Sequence, residues 1–362
     1  MTELAPIHGG QIRQIAGRFR VPASGLLDFS ANVDPGGPPA TVLSCLRVSI
    51  ENPAVISNYP DLDELELRHS LAGYLGVTHD GIAVSNGFVP LLDSVLRVLR
   101  IQRCLVPVPA FVEYRKMLER SNVEMIPYIL AAGSGFICNS KNLFDEPCDA
   151  ILLANPQNPS GVLYPRDTML RIVEEAADRK AVVLLDEAFI DYCPETSFAR
   201  AIARFQNLIV FRSVTKFFGM AGLRIAYAAM NPDLCRQVQE VTAPWSITSL
   251  ASVAASAAVK DEGYIRRTIE LNNVRRTQMQ AAIEGLGIHV YRSAANFLLL
   301  RLPGSIDVRR FWERLIRRHQ ILLRDCTNYE SLEDGHLRAA VRIEGENERL
   351  VAALKQEIGN ER

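Results

Sequence analysis

The stretch NLIVFRSVTKFFGMAGLR, residues 207–224, opens as a short apolar run and then sets one cation, Lys216, between small hydroxyl residues and two phenylalanines. Lysine is almost never fully buried without a partner. Taken alone, Lys216 reads as a stem packed on aromatics with its ammonium in water. The rest of the chain repeats the same grammar. DGIAVSNG (80–87) precedes PLLDSVLRVLR, RCLVPVPA (103–110) precedes VEYRKMLER, DAILLANPQNPSG (149–161) precedes RDTMLRIVEEAADR, and AVVLLDEAF (181–189) leads on to LIVFRSVTK. Short aliphatic and β-branched runs alternating with helical segments predict an α/β fold, a mostly parallel sheet with helices on both faces.

At 362 residues the chain exceeds one ordinary domain. Residues 41–248 form the predicted large domain. From about 249 the pattern becomes an Ala-rich helical stretch ending near residue 286, a spacer between domains. IHVYRSAANFLLLRL (288–302), VRRFWERLIRRHQ (308–320), ILLRDC (321–326) and HLRAAVRI (336–343) then read as strand, helix, strand, strand, a smaller α+β unit within 249–362. Residues 1–40 hold too little core to stand alone and are expected to pack on that small unit. In the basic helix, Phe311, Leu315 and Ile316 make a core face and the arginines read as a solvated one.

Composition excludes several functions. Forty basic against forty-one acidic residues give a formal charge of −1, so nothing draws the whole chain to nucleic acid or an anionic membrane. Seven scattered cysteines with no CxxC pair suit reduced thiols, and no His cluster has metal-ligand spacing. The N-terminus lacks a signal peptide's basic flank and apolar core, and no apolar run approaches the roughly 20 residues of a membrane helix. The expectation is a cytoplasmic protein with no metal, acting on a small molecule.

Ligands of open parallel sheets bind outside the carboxyl ends of the strands. Reading the residues just after each apolar run gives Asn86-Gly87, Phe111, Asn155, Asp186 and Ser213 with Lys216. Asp186 reads on its own as a turn-capping aspartate, a common fate for Asp. With Lys216 at the next strand's end it has a chemical reading as well: a carboxylate holds a pyridine nitrogen protonated, while a lysine of lowered pKa forms a Schiff base with an aldehyde. Those two groups together describe pyridoxal 5'-phosphate. Its phosphate needs donors, and three sources stand near: the SNG turn opening a helix, with the amides of Gly87, Phe88 and Val89; Ser213; and Arg224. Phe111 is either core or a slab on the ring face. Asn155 is either a turn former or a donor to the ring's phenolic oxygen. SNGFVP is not a GxGxxG turn, which disfavours a nicotinamide enzyme.

ANPQNPSG, LLDEAFIDY, SVTKFFGMAGLRIAY and HLRAAVRI, in order over nearly the whole chain, resemble the fold-type-I pyridoxal-phosphate enzymes of the class I/II aminotransferase superfamily. The resemblance implies a homodimer with shared active sites, where Tyr59 of NYPDLDE reaches the neighbouring subunit's cofactor phosphate. HGGQIR, LLDFSANVDPGG and ILLRDCTNY are similar to the threonine-phosphate decarboxylases, relatives of the histidinol-phosphate aminotransferases. That similarity implies His8, Asn32, Asn155, Arg324 and Arg338 as substrate contacts. Phe189 stands where many aminotransferases carry a tyrosine, and resembles the decarboxylase branch. One departure is SNGFVP: relatives usually carry a polar pair after the NG, so a side-chain hydroxyl is missing at Phe88-Val89.

Overall fold

The computed structural model describes residues 8–139 and 142–359. Its large sheet has seven strands, ordered in space as Ile82–Ser85, Ala226–Ala229, Leu208–Ser213, Val182–Asp186, Ala150–Ala154, Arg103–Val108 and Glu124–Ile129. All pairs are parallel except those made by Ala226–Ala229, which runs antiparallel to both neighbours. That reversed strand was not evident in AYAA, four residues with no distinctive pattern.

The central strands are buried along both faces, which is why they read as unbroken apolar runs. Side chains alternate between faces. Ile151, Leu153, Val183, Leu185 and Val210 enter one apolar cluster, while Leu152, Leu184, Ile209 and Phe211 enter another on the opposite side. Each such side chain contributes about 1.5–3 kcal/mol when fully buried. Helices such as Phe88–Leu99 and Arg166–Asp178 cover the two faces with their own apolar stripes.

A second sheet is antiparallel, ordered Arg324–Asp325, His336–Ala340, Phe297–Arg301, His289–Val290. Near it Leu27–Asp28 pairs in parallel with Ile321–Leu322. Ile15, Phe19, Leu26 and Phe29 share one apolar cluster with Trp312, Leu315 and Leu350. The arginines of the Val308–His319 helix depart from a purely solvated face. Arg309 and Arg310 are exposed, but Arg314, Arg318 and His319 converge on the buried carboxylate of Glu357. A buried charge needs such partners.

The long spacer is two helices, Ser249–Lys260 and Glu262–Glu284. Asp261 breaks it: its Oδ1 accepts from the Tyr264 amide at 2.9 Å and its Oδ2 from Thr41 Oγ1 at 2.8 Å. An aspartate that caps a new helix competes with continuing the old one. Among the described residues no helix is long and apolar enough to cross a membrane, and no group of His, Cys, Asp and Glu could hold a metal. Asp261→Ala is expected to cost about 1 kcal/mol, read as a lower urea midpoint at unchanged slope. An unaltered midpoint would mean that packing alone starts the second helix.

Candidate active site

The carboxyl ends of the parallel strands open into a cavity of about 450 Å³. Asp186 and Ser213 are the last residues of their strands, and Lys216 follows Ser213 by one turn. Arg224 arrives from the other direction, because the strand it precedes is antiparallel and starts at this edge, with Ala226 in register with both Ser213 and Ser85. That pairing brings Arg224 to Gly87. A Cβ added to Gly87 would lie 3.2 Å from Arg224 Nη2, and φ there is +105°, a backbone conformation that favours glycine. Beyond Gly87 the helix Phe88–Leu99 begins, and its first amides have no intrahelical partner. Guanidinium and helix N-terminus together make an anion-binding corner.

Lys216 lines the cavity, and its pKa falls from 10.5 to about 8. Burial is the largest cause, followed by the positive charges of Arg338 and Arg224; Asp186 opposes them. Burial pushes the Asp186 carboxyl up, against the hydrogen bonds that stabilise its ionised form. Tyr114 Oη donates to its Oδ2 at 2.5 Å and the Ala188 amide to its Oδ1 at 2.9 Å. Ser213 Oγ lies 2.8 Å from Thr215 Oγ1, 3.1 Å from the Ile225 carbonyl oxygen, and accepts from the Thr215 amide.

The lysine loop is clamped from outside. The Asp34 amide donates to the Lys216 carbonyl at 2.9 Å, and Tyr264 Oη reaches the carbonyls of Gly37 and Phe217. A Cβ on Gly219, whose φ is +62°, would sit 2.6 Å from the Gly37 backbone. The same N-terminal segment puts His8, Gly9 and Asn32 in the cavity wall. Asn32 is buried, and its Oδ1 has no hydrogen-bond partner.

Two further arginines, Arg324 and Arg338, line the same cavity. Arg338 Nη1 donates to Asn158 Oδ1 at 2.6 Å and Tyr329 Oη at 3.0 Å, and its Nη2 to the Ser30 carbonyl at 3.3 Å. Its Nε is buried without a partner. Arg324 Nη2 donates to Asn328 Oδ1 at 2.7 Å, and its guanidinium lies over the Tyr329 ring. His8 Nε2 is 3.0 Å from Glu113 Oε1, which also takes Lys116 Nζ at 2.7 Å. Burial lowers the His8 pKa, partly offset by Glu113.

Of the residues named from sequence, Lys216, Asp186, Gly87, Phe88, Val89, Phe111, Ser213, Arg224, His8, Asn32, Arg324 and Arg338 line this cavity, as does Phe189. Two do not. Asn155 sits behind the wall, its Oδ1 accepting from the Tyr164 amide at 2.8 Å; Asn158, three residues on, faces the cavity instead. Both asparagines precede a proline, so the sequence offered no way to choose between them. Tyr59 lies outside the cavity, 80% exposed, its ring 4.8 Å from that of Trp245. Sequence reading also passed over Tyr114, Thr215 and Tyr329, whose side chains turn inward only because of the fold.

An amine, a carboxylate and an anion corner in one cavity fit an aldehyde cofactor that carries a phosphate and a basic ring nitrogen. The fold and these groups define the class as fold-type-I enzymes. The chain belongs to the family described as Aminotransferase class I and II, which matches residues 24–354 and uses pyridoxal 5'-phosphate. It is 33% identical over 354 residues to the threonine-phosphate decarboxylase of Salmonella typhimurium, covering 96% of this chain and 95% of that one. Among solved structures it is similar to the histidinol-phosphate aminotransferase from Clostridium acetobutylicum, with a TM-score of 0.86 and 28% identity over 92% of this chain and all (100%) of that one. A further likeness is to the L-threonine-O-3-phosphate decarboxylase from Porphyromonas gingivalis, with a TM-score of 0.79, 25% identity and coverage of 92% and 100%.

In protein free of cofactor, amine-directed acylation of Lys216 should rise through a midpoint near pH 8, where its ammonium gives up the proton. Arg338→Met should move that midpoint upward by deleting a cationic neighbour. Peptide mapping reads both, and a Lys216 midpoint no different from surface lysines would contradict the electrostatics described.

Proposed function

We propose that the chain is a pyridoxal 5'-phosphate-dependent enzyme that decarboxylates a phosphorylated amino acid, L-threonine O-3-phosphate, to aminopropanol phosphate for cobalamin biosynthesis. The observation that carries this reading is the set of cationic groups lining a single cavity. Arg224 stands beside Gly87 at the start of the Phe88–Leu99 helix, and Arg324 and Arg338 line the same cavity with His8. The first group serves the cofactor phosphate. The two further arginines supply positive charge for a substrate that bears a phosphate as well as a carboxylate.

When bound, the cofactor supplies the electron sink for a bond broken at the substrate's Cα. This chain's residues do the rest. Lys216 is the attachment residue, because its amine is already neutral in part near pH 8. Asp186 holds the ring nitrogen, Asn158 replaces Asn155 as donor to the phenolic oxygen, and Phe111 covers the ring face. Ser213, Arg224 and the amides of Phe88 and Val89 hold the cofactor phosphate. Arg338 and Arg324 would grip the substrate's carboxylate and phosphate and so orient its Cα for the bond that breaks. His8 and Asn32 close the outer end.

Decarboxylation is favoured over transamination by Phe189, which is packed edge to face on Phe297 at 4.9 Å and gives this wall no hydroxyl. The likeness to the Salmonella decarboxylase supports the same choice. The second reading, an aminotransferase of the histidinol-phosphate type, draws on the Clostridium structure and shares every cofactor residue. A homodimer is part of the proposal: Val48, Ile50, Ile56, Tyr59 and Leu62 are all exposed within a short span of chain. Tyr59 then serves the partner's site.

Protein loaded with the cofactor is expected to release carbon dioxide from O-phospho-L-threonine with no keto-acid acceptor present. An oxo product that forms only when an acceptor is added would instead establish the second reading. Lys216→Ala should abolish both turnover and the borohydride-fixed adduct. Arg324→Ala and Arg338→Ala should each lower kcat/KM by about 10- to 100-fold, the worth of a hydrogen bond to a charged group. Deletion of residues 1–12 should raise KM while leaving the cofactor bound.

A further inference from the structure

Tyr114 belongs to the helix Glu113–Arg120 and is buried. Its hydroxyl reaches Asp186 Oδ2 at 2.5 Å, and the Ala188 amide reaches Oδ1 at 2.9 Å, so both carboxylate oxygens already accept from the protein. A hydroxyl to carboxylate bond of this length falls in the charge-assisted range. The ring that carries the hydroxyl is held by aromatic neighbours. It meets Phe111 edge to face at 5.7 Å and Phe88 at 5.8 Å, and Phe88 in turn meets Phe211 edge to face at 5.3 Å. The Phe88 side chain walls in Tyr114 while its amide stays at the helix start.

We propose that Tyr114 is a positioning residue that lowers the proton affinity of Asp186 and thereby keeps the shared proton on the ring nitrogen of the bound cofactor. The inference rests on the reading of Asp186 as partner of that nitrogen. One proton lies between the carboxylate and the pyridine. In a dry site the arrangement that separates charge is costly, and the proton returns to the carboxylate. A hydroxyl donor bonds a carboxylate more strongly than a neutral acid. Tyr114 therefore favours the protonated ring, the form that draws electrons from Cα. Phe88 and Phe111 pack on the ring that carries the hydroxyl and so fix its direction toward Asp186.

The test uses holoenzyme loaded with pyridoxal phosphate that is isotope-labelled at the ring nitrogen. In the natural protein the nitrogen resonance should stand at the protonated position at neutral pH. In Tyr114→Phe it should move toward the unprotonated position, with kcat lowered about tenfold and KM nearly unchanged. Para-fluorophenylalanine at position 114 fills the space of the hydroxyl without donating, and should give the same shift; it decides the matter should the phenylalanine variant fail to fold. A ring nitrogen resonance that is the same with and without the donor overturns the role of Tyr114. If the natural protein takes up no cofactor and forms no adduct at Lys216, the functional reading itself has failed, a result separate from the first.

Discussion

A lysine gives up its proton near neutral pH only where its ammonium is a poor occupant, and the carboxyl edge of the large sheet is such a place. Burial and the charges of Arg338 and Arg224 press the Lys216 proton off, against the pull of Asp186. Holding an amine under such pressure needs a rigid support. The loop carrying it is pinned by the Asp34 amide, by contact of Gly219 with Gly37, and by Tyr264 across two carbonyls. Beneath it, Arg212 pairs with Glu187 at 3.0 Å and with Asp191, all three buried. This triad ties the ends of neighbouring strands where Asp186 and Ser213 emerge. Buried ion pairs add little net stability, yet breaking one leaves a stranded charge at a cost of about 3–5 kcal/mol. The triad therefore specifies position more than it adds stability.

The large sheet was legible because its strands are buried on both faces, which leaves runs such as AVVLL and NLIVF with no polar interruption. The strand Ala226–Ala229 was not, since Ala-Tyr-Ala-Ala is too short to carry a distinctive pattern, and its direction is set by pairing across the sheet. The site was legible to the same extent as the strands. A residue one step beyond an apolar run must lie at the edge, so Asp186, Ser213, Lys216 and Gly87 could be placed from spacing. Asn155 and Asn158 show where this ends. Both lie past the strand Ala150–Ala154 in one Pro-rich turn, and which amide faces inward is decided by the Tyr164 amide bonding Asn155. Tyr114 and Tyr329 likewise owe their roles to packing between elements remote in sequence. Tyr59 lies outside the cavity of its own chain, and no spacing in the sequence set it apart from the residues that line it.

Beside the lysine, the cavity wall holds polar groups whose hydrogen bonding is incomplete. Arg338 is held on three sides, by Asn158, Tyr329 and the Ser30 carbonyl, with its guanidinium stacked on Phe297 at 5.1 Å. Yet its Nε is buried with no acceptor, and Asn32 Oδ1 is buried with no donor. Each unpaired buried polar group costs about 1–3 kcal/mol. Both groups belong to residues lining the same cavity, and they are of opposite kind, one a donor and the other an acceptor. The chain's formal charge of −1 gives no general attraction to anions. Recognition therefore has to be local, and it is concentrated where the small unit's strand His336–Ala340 and the N-terminal segment meet the lysine edge of the large sheet.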